Sequence, residues 1–269
     1  MNTVAEGSVK VLPKVKGGNP FLAFYRLFLF FFGTCCMLAW HLGGGMVCGF
    51  SNGHGARSIR KWSKMINMLT GIKVRVSGTV PSEGVLLVSN HRSYMDVTVL
   101  GQWLPVTFLA KEELRSWPLL GFATASANCV FVNRSNPESR KRARETVREH
   151  LSGGTSIMVY PEGTSFEGPG LLTLKPGIFQ MAAEAGVIVV PVAIEYDDPG
   201  DAWVGDDTFI RHFFQAFGKK EIGVALRFGP PMKSSDYETL RTCSREWIDG
   251  ALNDLRTYGG SCAESNKEE

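Results

Sequence analysis

A histidine and an aspartate stand five positions apart in Asn90-His91-Arg92-Ser93-Tyr94-Met95-Asp96, just after the apolar run Val85-Leu86-Leu87-Val88. Imidazole titrates near neutrality, at about pH 6.5. A carboxylate on one ring nitrogen fixes the tautomer while the other nitrogen accepts a proton, so the pair is the smallest apparatus that can deprotonate an alcohol. On one continuous helix, positions i and i+5 point roughly 140° apart at about 3.6 residues per turn. The side chains therefore meet only if His91 precedes a helix and Asp96 lies in its first turn. Val85 to Ser89 reads as a buried strand, and Ser93 is placed to cap the next helix with Asp96 as its capping-box acid. Such a strand delivers His91 to the carboxyl edge of a sheet, where open α/β folds hold their sites. The spacing also suits a plain capping aspartate beside a polar loop histidine.

Two further segments reach the same edge. The strand Ser156 to Val159 runs into Tyr160-Pro161-Glu162-Gly163-Thr164-Ser165, which offers a carboxylate, an approachable glycine amide and a hydroxyl. An ordinary turn uses the same residues. Arg134 follows the strand Cys129 to Val132, and Ser135-Asn136-Pro137 starts a helix with proline in first position. Arg140, Lys141, Arg142, Arg144 and Arg148 crowd that helix. The run suits phosphates of a nucleotide-like cofactor, an acidic helix of a carrier protein, anionic lipid headgroups or plain solvent. Thr208 to Phe217 spaces Phe209, Ile210, Phe213, Phe214 and Phe217 as a helix between basic residues. It reads as an interfacial helix with its aromatic face in lipid, or as a helix packed on the sheet. Gly49-Phe50-Ser51-Asn52-Gly53 matches the G-x-S-x-G pattern of serine hydrolases. That motif needs a strand directly before it, and a glycine-rich apolar segment stands there instead, so Ser51 is a decoy. No Walker A, HExxH, EF-hand or zinc spacing occurs.

The elements that must position these groups form an α/β pattern. Strands are expected over 72–77, 85–89, 106–110, 129–132, 156–160, 187–194 and 222–228, and helices over 93–103, 137–151, 175–185, 208–217 and 235–256. Their alternation predicts a mostly parallel central sheet flanked by helices. The organisation expected is a disordered leader (1–20), a membrane-associated helical segment (21–70, including a basic helix from Ala56 to Leu69), an α/β domain (71–258) and a flexible tail (259–269). Residues 27 to 50 contain no Asp, Glu, Lys or Arg, a length that could cross a bilayer. Gly43-Gly44-Gly45 is expected to break its second half, so a full span and a re-entrant hairpin both fit, with a buried helix of a soluble core as the plain alternative. Lys10, Lys14, Lys16 and Arg26 before the segment balance Arg57, Arg60, Lys61 and Lys64 after it, leaving the positive-inside rule silent. The net charge of +3 on 269 residues sets up no bulk field, and nucleic acid is not an expected partner. The six cysteines show no metal spacing and are read as reduced thiols of a cytosolic setting.

Together these segments resemble the glycerolipid acyltransferase family, which includes 1-acylglycerol-3-phosphate acyltransferases. Asn90-His91 through Asp96 is similar to its N-H-x4-D block, Phe131-Val132-Asn133-Arg134 to its second block, Pro161-Glu162-Gly163-Thr164 to its P-E-G-T block and Val189-Val190-Pro191-Val192 to its apolar-Pro block. Ala110-Lys111-Glu112-Glu113-Leu114 resembles an A-K-x-E-L segment, and Lys175 to Phe179 a helix start after the third block. The resemblance implies a membrane-bound O-acyltransferase that moves a fatty acyl group from acyl-CoA or acyl carrier protein to the free hydroxyl of a lysophospholipid. No bound cofactor or metal is implied. It assigns catalysis to His91 and Asp96 and substrate binding to Lys111, Arg134, Glu162, Gly163, Thr164 and Lys175. The first expectation for the acceptor is 1-acylglycerol-3-phosphate, giving phosphatidic acid. One departure points elsewhere: Ser165 follows P-E-G-T where many phosphatidic-acid-forming members carry Arg or Asn, and Ser165-Phe166-Glu167-Gly168 looks closer to lyso-ornithine-lipid acyltransferases. Thioester donors are cytosolic, so the expected location is the cytoplasmic face of the inner membrane or its equivalent. The readings set against it are a non-catalytic lipid-binding protein and a hydrolase using Ser51.

Overall fold

Short runs of four residues that are buried throughout, such as Leu86–Ser89 and Ser156–Val159, can sit only where both faces of a sheet are covered. They become its central strands. The computed structural model describes residues 18–82, 84–205 and 207–264. Among them the order is α1 (Pro20–Cys48), α2 (Asn52–Thr70), β1 (Ile72–Ser77), β2 (Leu86–Ser89), α3 (Asp96–Gly101), β3 (Val106–Lys111), α4 (Leu120–Ser126), β4 (Val130–Val132), α5 (Pro137–Ser152), β5 (Ser156–Val159), α6 (Gly177–Ala185), β6 (Val189–Tyr196), α7 (Phe209–Phe217), β7 (Ile222–Phe228) and α8 (Tyr237–Glu264). The expected leader up to residue 17, and the expected tail from residue 265, lie outside the described residues. Helix α8 runs on to Glu264, past the expected end at 256. Helix α4 was not marked by any sequence pattern.

The strands form one sheet in the order β1-β7-β6-β2-β5-β3-β4. Only β6 and β7 pair antiparallel among neighbours; the other adjacent pairs are parallel. Strands β2 to β6 therefore end at one carboxyl edge. Side chains alternate between two cores. Leu86, Val88, Ile157 and Val159 pack with Val147 of α5 and Phe179 of α6, while Leu87, Met158 and Val190 pack with Ile59 of α2, Val99 of α3 and Phe213 of α7.

The N-terminal pair differs from expectation in one respect. The three consecutive glycines do not break α1, which continues to Cys48. A side chain on Gly45 would start 2.2 Å from the Phe50 ring, and one on Gly44 3.0 Å from His54, so these glycines let the returning chain come close. After Gly49 the chain reverses and α2 runs back along α1, with Trp62 Nε1 donating to Thr34 Oγ1 at 3.0 Å and His41 Nδ1 2.8 Å from Ser58 Oγ. Among the described residues α1 is the one helix long and apolar enough to cross a membrane by length and composition. Phe21, Phe24, Phe28 and Phe32 stay exposed on it. Its buried Arg26 donates to the carbonyls of Phe217, Lys219 and Lys220 at 3.1, 2.6 and 2.8 Å, satisfying groups at and beyond the end of α7. Helix α7 takes the second of its two expected places. Phe213 and Phe217 are buried in the core under the sheet, so its aromatic face meets protein, and Ile210 remains exposed.

Candidate active site

His91 lies two residues beyond the end of β2, and Asp96 opens α3. Their side chains meet, His91 Nδ1 to Asp96 Oδ2 at 2.7 Å. Only the acid half of the expected capping box forms, with Asp96 accepting from the Ser93 N–H. Ser93 caps nothing with its hydroxyl, and the N-cap position belongs to Met95 without a side-chain bond. Instead the Asp96 carboxylate reaches back: Oδ2 also accepts from the backbone N–H groups of Arg92 at 2.7 Å and Ser93 at 3.0 Å. Oδ1 accepts from the Tyr196 hydroxyl at 2.7 Å. Asp96 is fully buried, whereas 21% of the His91 side chain is exposed. Burial and the Asp96 charge hold the Tyr196 phenol well above its ordinary value, so it stays a donor. The His91 ring stacks on Tyr160, with centroids 4.1 Å apart. Among the described residues His91 Nε2 carries no hydrogen bond, and His91 forms part of a cavity wall.

The peptide around His91 is fixed separately. Its backbone N–H donates to Glu162 Oε1 at 2.8 Å, and Leu172 N–H to Glu162 Oε2 at 2.8 Å. Burial pushes the Glu162 carboxyl up from its ordinary value, against the pull of those two amides and of the Arg92 and His91 charges. Asn90 extends the β2–β6 ladder with its side chain, donating to Ile194 O at 2.8 Å and accepting from Ile194 N at 2.9 Å. Arg92 turns away from the ring and binds Phe166 O at 2.6 Å, Gly168 O at 2.9 Å and Glu195 at 3.1 Å.

A cavity of about 410 Å³ opens beside His91 and runs between the carboxyl edge and α1. Phe30, Met37 and Leu38 of α1 form one wall, and Lys111, Arg134 and Thr164 of the expected binding residues lie on it, together with Glu113. Arg134 also donates to the Gly163 carbonyl. Burial lowers its guanidinium from the ordinary value and Glu113 opposes that. Glu162 and Gly163 stand behind this wall. Gly163 needs its φ of +79°, and a side chain there would start 2.5 Å from Lys175 Nζ. Lys175 is exposed beside that turn and does not line the cavity. Ser51 caps α2 by accepting from His54 N–H at 3.1 Å, with no strand before it.

Sequence reasoning missed Tyr196, Tyr160, Asn90 and Trp203. The Ser165 hydroxyl donates to the Trp203 carbonyl at 2.5 Å, and Trp203 N–H donates to Arg92 O at 2.9 Å. Trp203 also lines the cavity. The loop after β6 is thereby fastened to both site turns. A loop tryptophan among acidic residues is a signal that could have prompted the question. Among the described residues no group of three or more His, Cys, Asp or Glu is placed to hold a metal ion.

The sequence profile of the Acyltransferase family matches residues 71–195. The lyso-ornithine lipid O-acyltransferase of Pseudomonas aeruginosa is 35% identical over 183 residues, covering 66% of this chain and 70% of that protein. The chain belongs to the acyltransferase family. A second relative of this acyltransferase, the 1-acyl-sn-glycerol-3-phosphate acyltransferase of Neisseria gonorrhoeae, is 35% identical over 128 residues, 48% of this chain and 50% of that one. The fold matches the crystal structure of the 1-acyl-sn-glycerophosphate acyltransferase PlsC from Thermotoga maritima with a TM-score of 0.68 and 24% identity, over 88% of this chain and 96% of that one. The enzyme is therefore a membrane-associated acyltransferase of lipid biosynthesis, with its cavity walled in part by the apolar α1.

Proposed function

We propose that this acyltransferase moves a fatty acyl group from a thioester, acyl-CoA or acyl carrier protein, to the hydroxyl of a lysolipid, with His91 as general base and Asp96 as its orienting partner. The observation that carries the reading is the 2.7 Å His91–Asp96 bond, which leaves Nε2 as the free nitrogen of a ring on the cavity wall. His91 Nε2 takes the hydroxyl proton as the lipid oxygen attacks the thioester carbonyl. The tetrahedral oxyanion collapses and expels the thiolate, which takes the proton back from the imidazolium; an ester and a thiol result. The buried Asp96 charge supports the transient imidazolium. The apolar cavity takes the acyl chain, Lys111 and Arg134 hold an acidic group of acceptor or donor, and Glu162, Gly163 and Thr164 shape the acceptor side. The exposed phenylalanines of α1 enter the bilayer, and the site faces the cytoplasm, where thioester donors are made.

The acceptor we infer is a lyso-ornithine lipid. Ser165, at the position where many phosphatidic-acid-forming members carry Arg or Asn, is committed to the Trp203 carbonyl. The Pseudomonas relative bears that activity in its name. A phosphate-bearing acceptor is the second reading, favoured by Lys111 and Arg134 on the cavity wall. The test is acyl transfer by the detergent-purified chain to lyso-ornithine lipid and to 1-acylglycerol-3-phosphate. His91→Ala should lower turnover roughly 10³-fold or more. Unchanged turnover overturns the mechanism, and an acyl group trapped on the protein overturns direct attack. Preference for the phosphate acceptor reverses the order of the two readings.

A further inference from the structure

The loop between β6 and α7 turns two carboxylates inward, those of Asp198 and Asp201. Lys219, two residues beyond α7, donates to Asp198 Oδ2 at 2.6 Å and to Asp201 Oδ1 at 2.7 Å, and the Asp201 side chain is only 1% exposed. Burial raises the Asp201 carboxyl to about 6, and Lys219 opposes that rise. A buried ion pair adds little net stability once the cost of desolvation is met. What it supplies is a fixed geometry.

That geometry matters at the far side of the loop. Trp203 N–H donates to Arg92 O at 2.9 Å, and the Trp203 carbonyl accepts from the Ser165 hydroxyl. One residue thus bridges the His91 turn and the Glu162 turn. The Trp203 ring lines the cavity with Thr164 and Ser165 and meets Tyr94 edge to face, with centroids 5.4 Å apart. Its indole N–H is taken by Asp207 O at 2.8 Å, so the ring offers a substrate an apolar wall. Lys219 is held from behind as well, because Arg26 of α1 donates to its carbonyl at 2.6 Å. Contacts therefore run from the apolar helix through Lys219 and the two aspartates to Trp203.

We propose that Lys219 is a positioning residue for acyl transfer: it clamps the β6–α7 loop so that Trp203 closes the acceptor side of the cavity and holds the His91 and Glu162 turns at a fixed separation. The proposal rests on the acyl-transfer reading above. Lys219 does not line the cavity and acts only through the loop.

The test measures KM for both substrates on the full chain in detergent, with lyso-ornithine lipid or 1-acylglycerol-3-phosphate as acceptor. Lys219→Met should raise KM for the lysolipid about ten-fold and leave KM for the thioester within about two-fold. That variant leaves Asp201 buried without its cation. Lys219→Met combined with Asp201→Asn removes the clamp without the stranded charge and should show the same split. Lys219→Arg should bring the acceptor KM back. Trp203→Leu should raise the acceptor KM alike and add nothing further to Lys219→Met, since both act on one wall. Equal changes for both substrates, or lost stability with both KM values unchanged, overturn the proposal. The clamp is also read without turnover, from amide hydrogen exchange at Trp203. Its N–H should exchange about ten-fold faster in the variant lacking both Lys219 and Asp201, and unchanged exchange overturns the proposal. If neither acceptor is acylated the functional reading fails, and the exchange result still decides whether Lys219 holds the loop.

Discussion

Two carboxylates lie buried beside His91 and are held in opposite ways. Asp96 accepts from His91 Nδ1, two backbone amides and the Tyr196 hydroxyl. Among the described residues Glu162 accepts from two backbone amides, those of His91 and Leu172. Asp96 therefore touches the ring that would gain a proton, and Glu162 touches the peptide that carries the ring and ties it to the Leu172 peptide. The difference teaches that one turn tunes charge and the other tunes position. A buried negative group can serve a base without ever facing it.

The comparison breaks most sharply at Asp96. Asp96→Asn can still present one oxygen to the three N–H donors but loses the charge opposite the imidazolium. Turnover should fall about 10³-fold with little change in acceptor KM, as in triads that lose this charge. A loss no larger than that of the next variant would make the two carboxylates equivalent and end the contrast.

Glu162→Gln should act on stability. Its amide sets a donor against either His91 N–H or Leu172 N–H, at a cost of about 1–3 kcal/mol. The pH dependence gives a second handle. A carboxyl raised in the fold binds protons more tightly there than in the unfolded chain, so its contribution to stability is present at low pH and is lost as pH climbs from the ordinary 4.5 through the higher folded value. The wild type should lose stability across that window and the glutamine variant should not, so the gap between their denaturation midpoints narrows as pH rises. A parallel pair of curves would remove Glu162 as the titrating group.

Tyr196→Phe deletes one of the Asp96 bonds and leaves the others. A loss of about 1 kcal/mol, or five-fold in kcat/KM, is expected. The smallest effect belongs to Ser165→Ala, which frees the Trp203 carbonyl. KM for the lysolipid should rise about two-fold at constant kcat, since a single hydrogen bond is worth about 1 kcal/mol or less. A change in kcat alone would place Ser165 with the base instead of the acceptor wall.

All seven expected strands are present, because buried β-branched runs between turn residues leave little choice of conformation. His91 and Asp96 were legible as a pair because sequence neighbours can be joined by one turn. The bond that completes their corner comes from Tyr196, a hundred positions away, and no local pattern encodes a partner set by the register of β6 beside β2. Asn90 escaped for the same reason, since its amide replaces a ladder peptide only once Ile194 lies opposite. The glycines of α1 misled in the other direction. Their helix cost is local, about 1 kcal/mol each, and close packing of α2 outweighs it. The capping box was legible by half: Asp96 accepts from the Ser93 N–H as its acid should, whereas the Ser93 hydroxyl, which would accept from amides of the first turn, makes no bond among the described residues.

Arg26 has a consequence for anyone who would trim this protein. Its guanidinium rivets the greasy first helix to the end of α7, and that same helix panels the cavity with Phe30, Met37 and Leu38. Cutting it away to obtain a water-soluble catalyst would unroof the chamber and expose the aromatic underside of α7. The apolar helix and the wall of the chamber are a single piece of masonry.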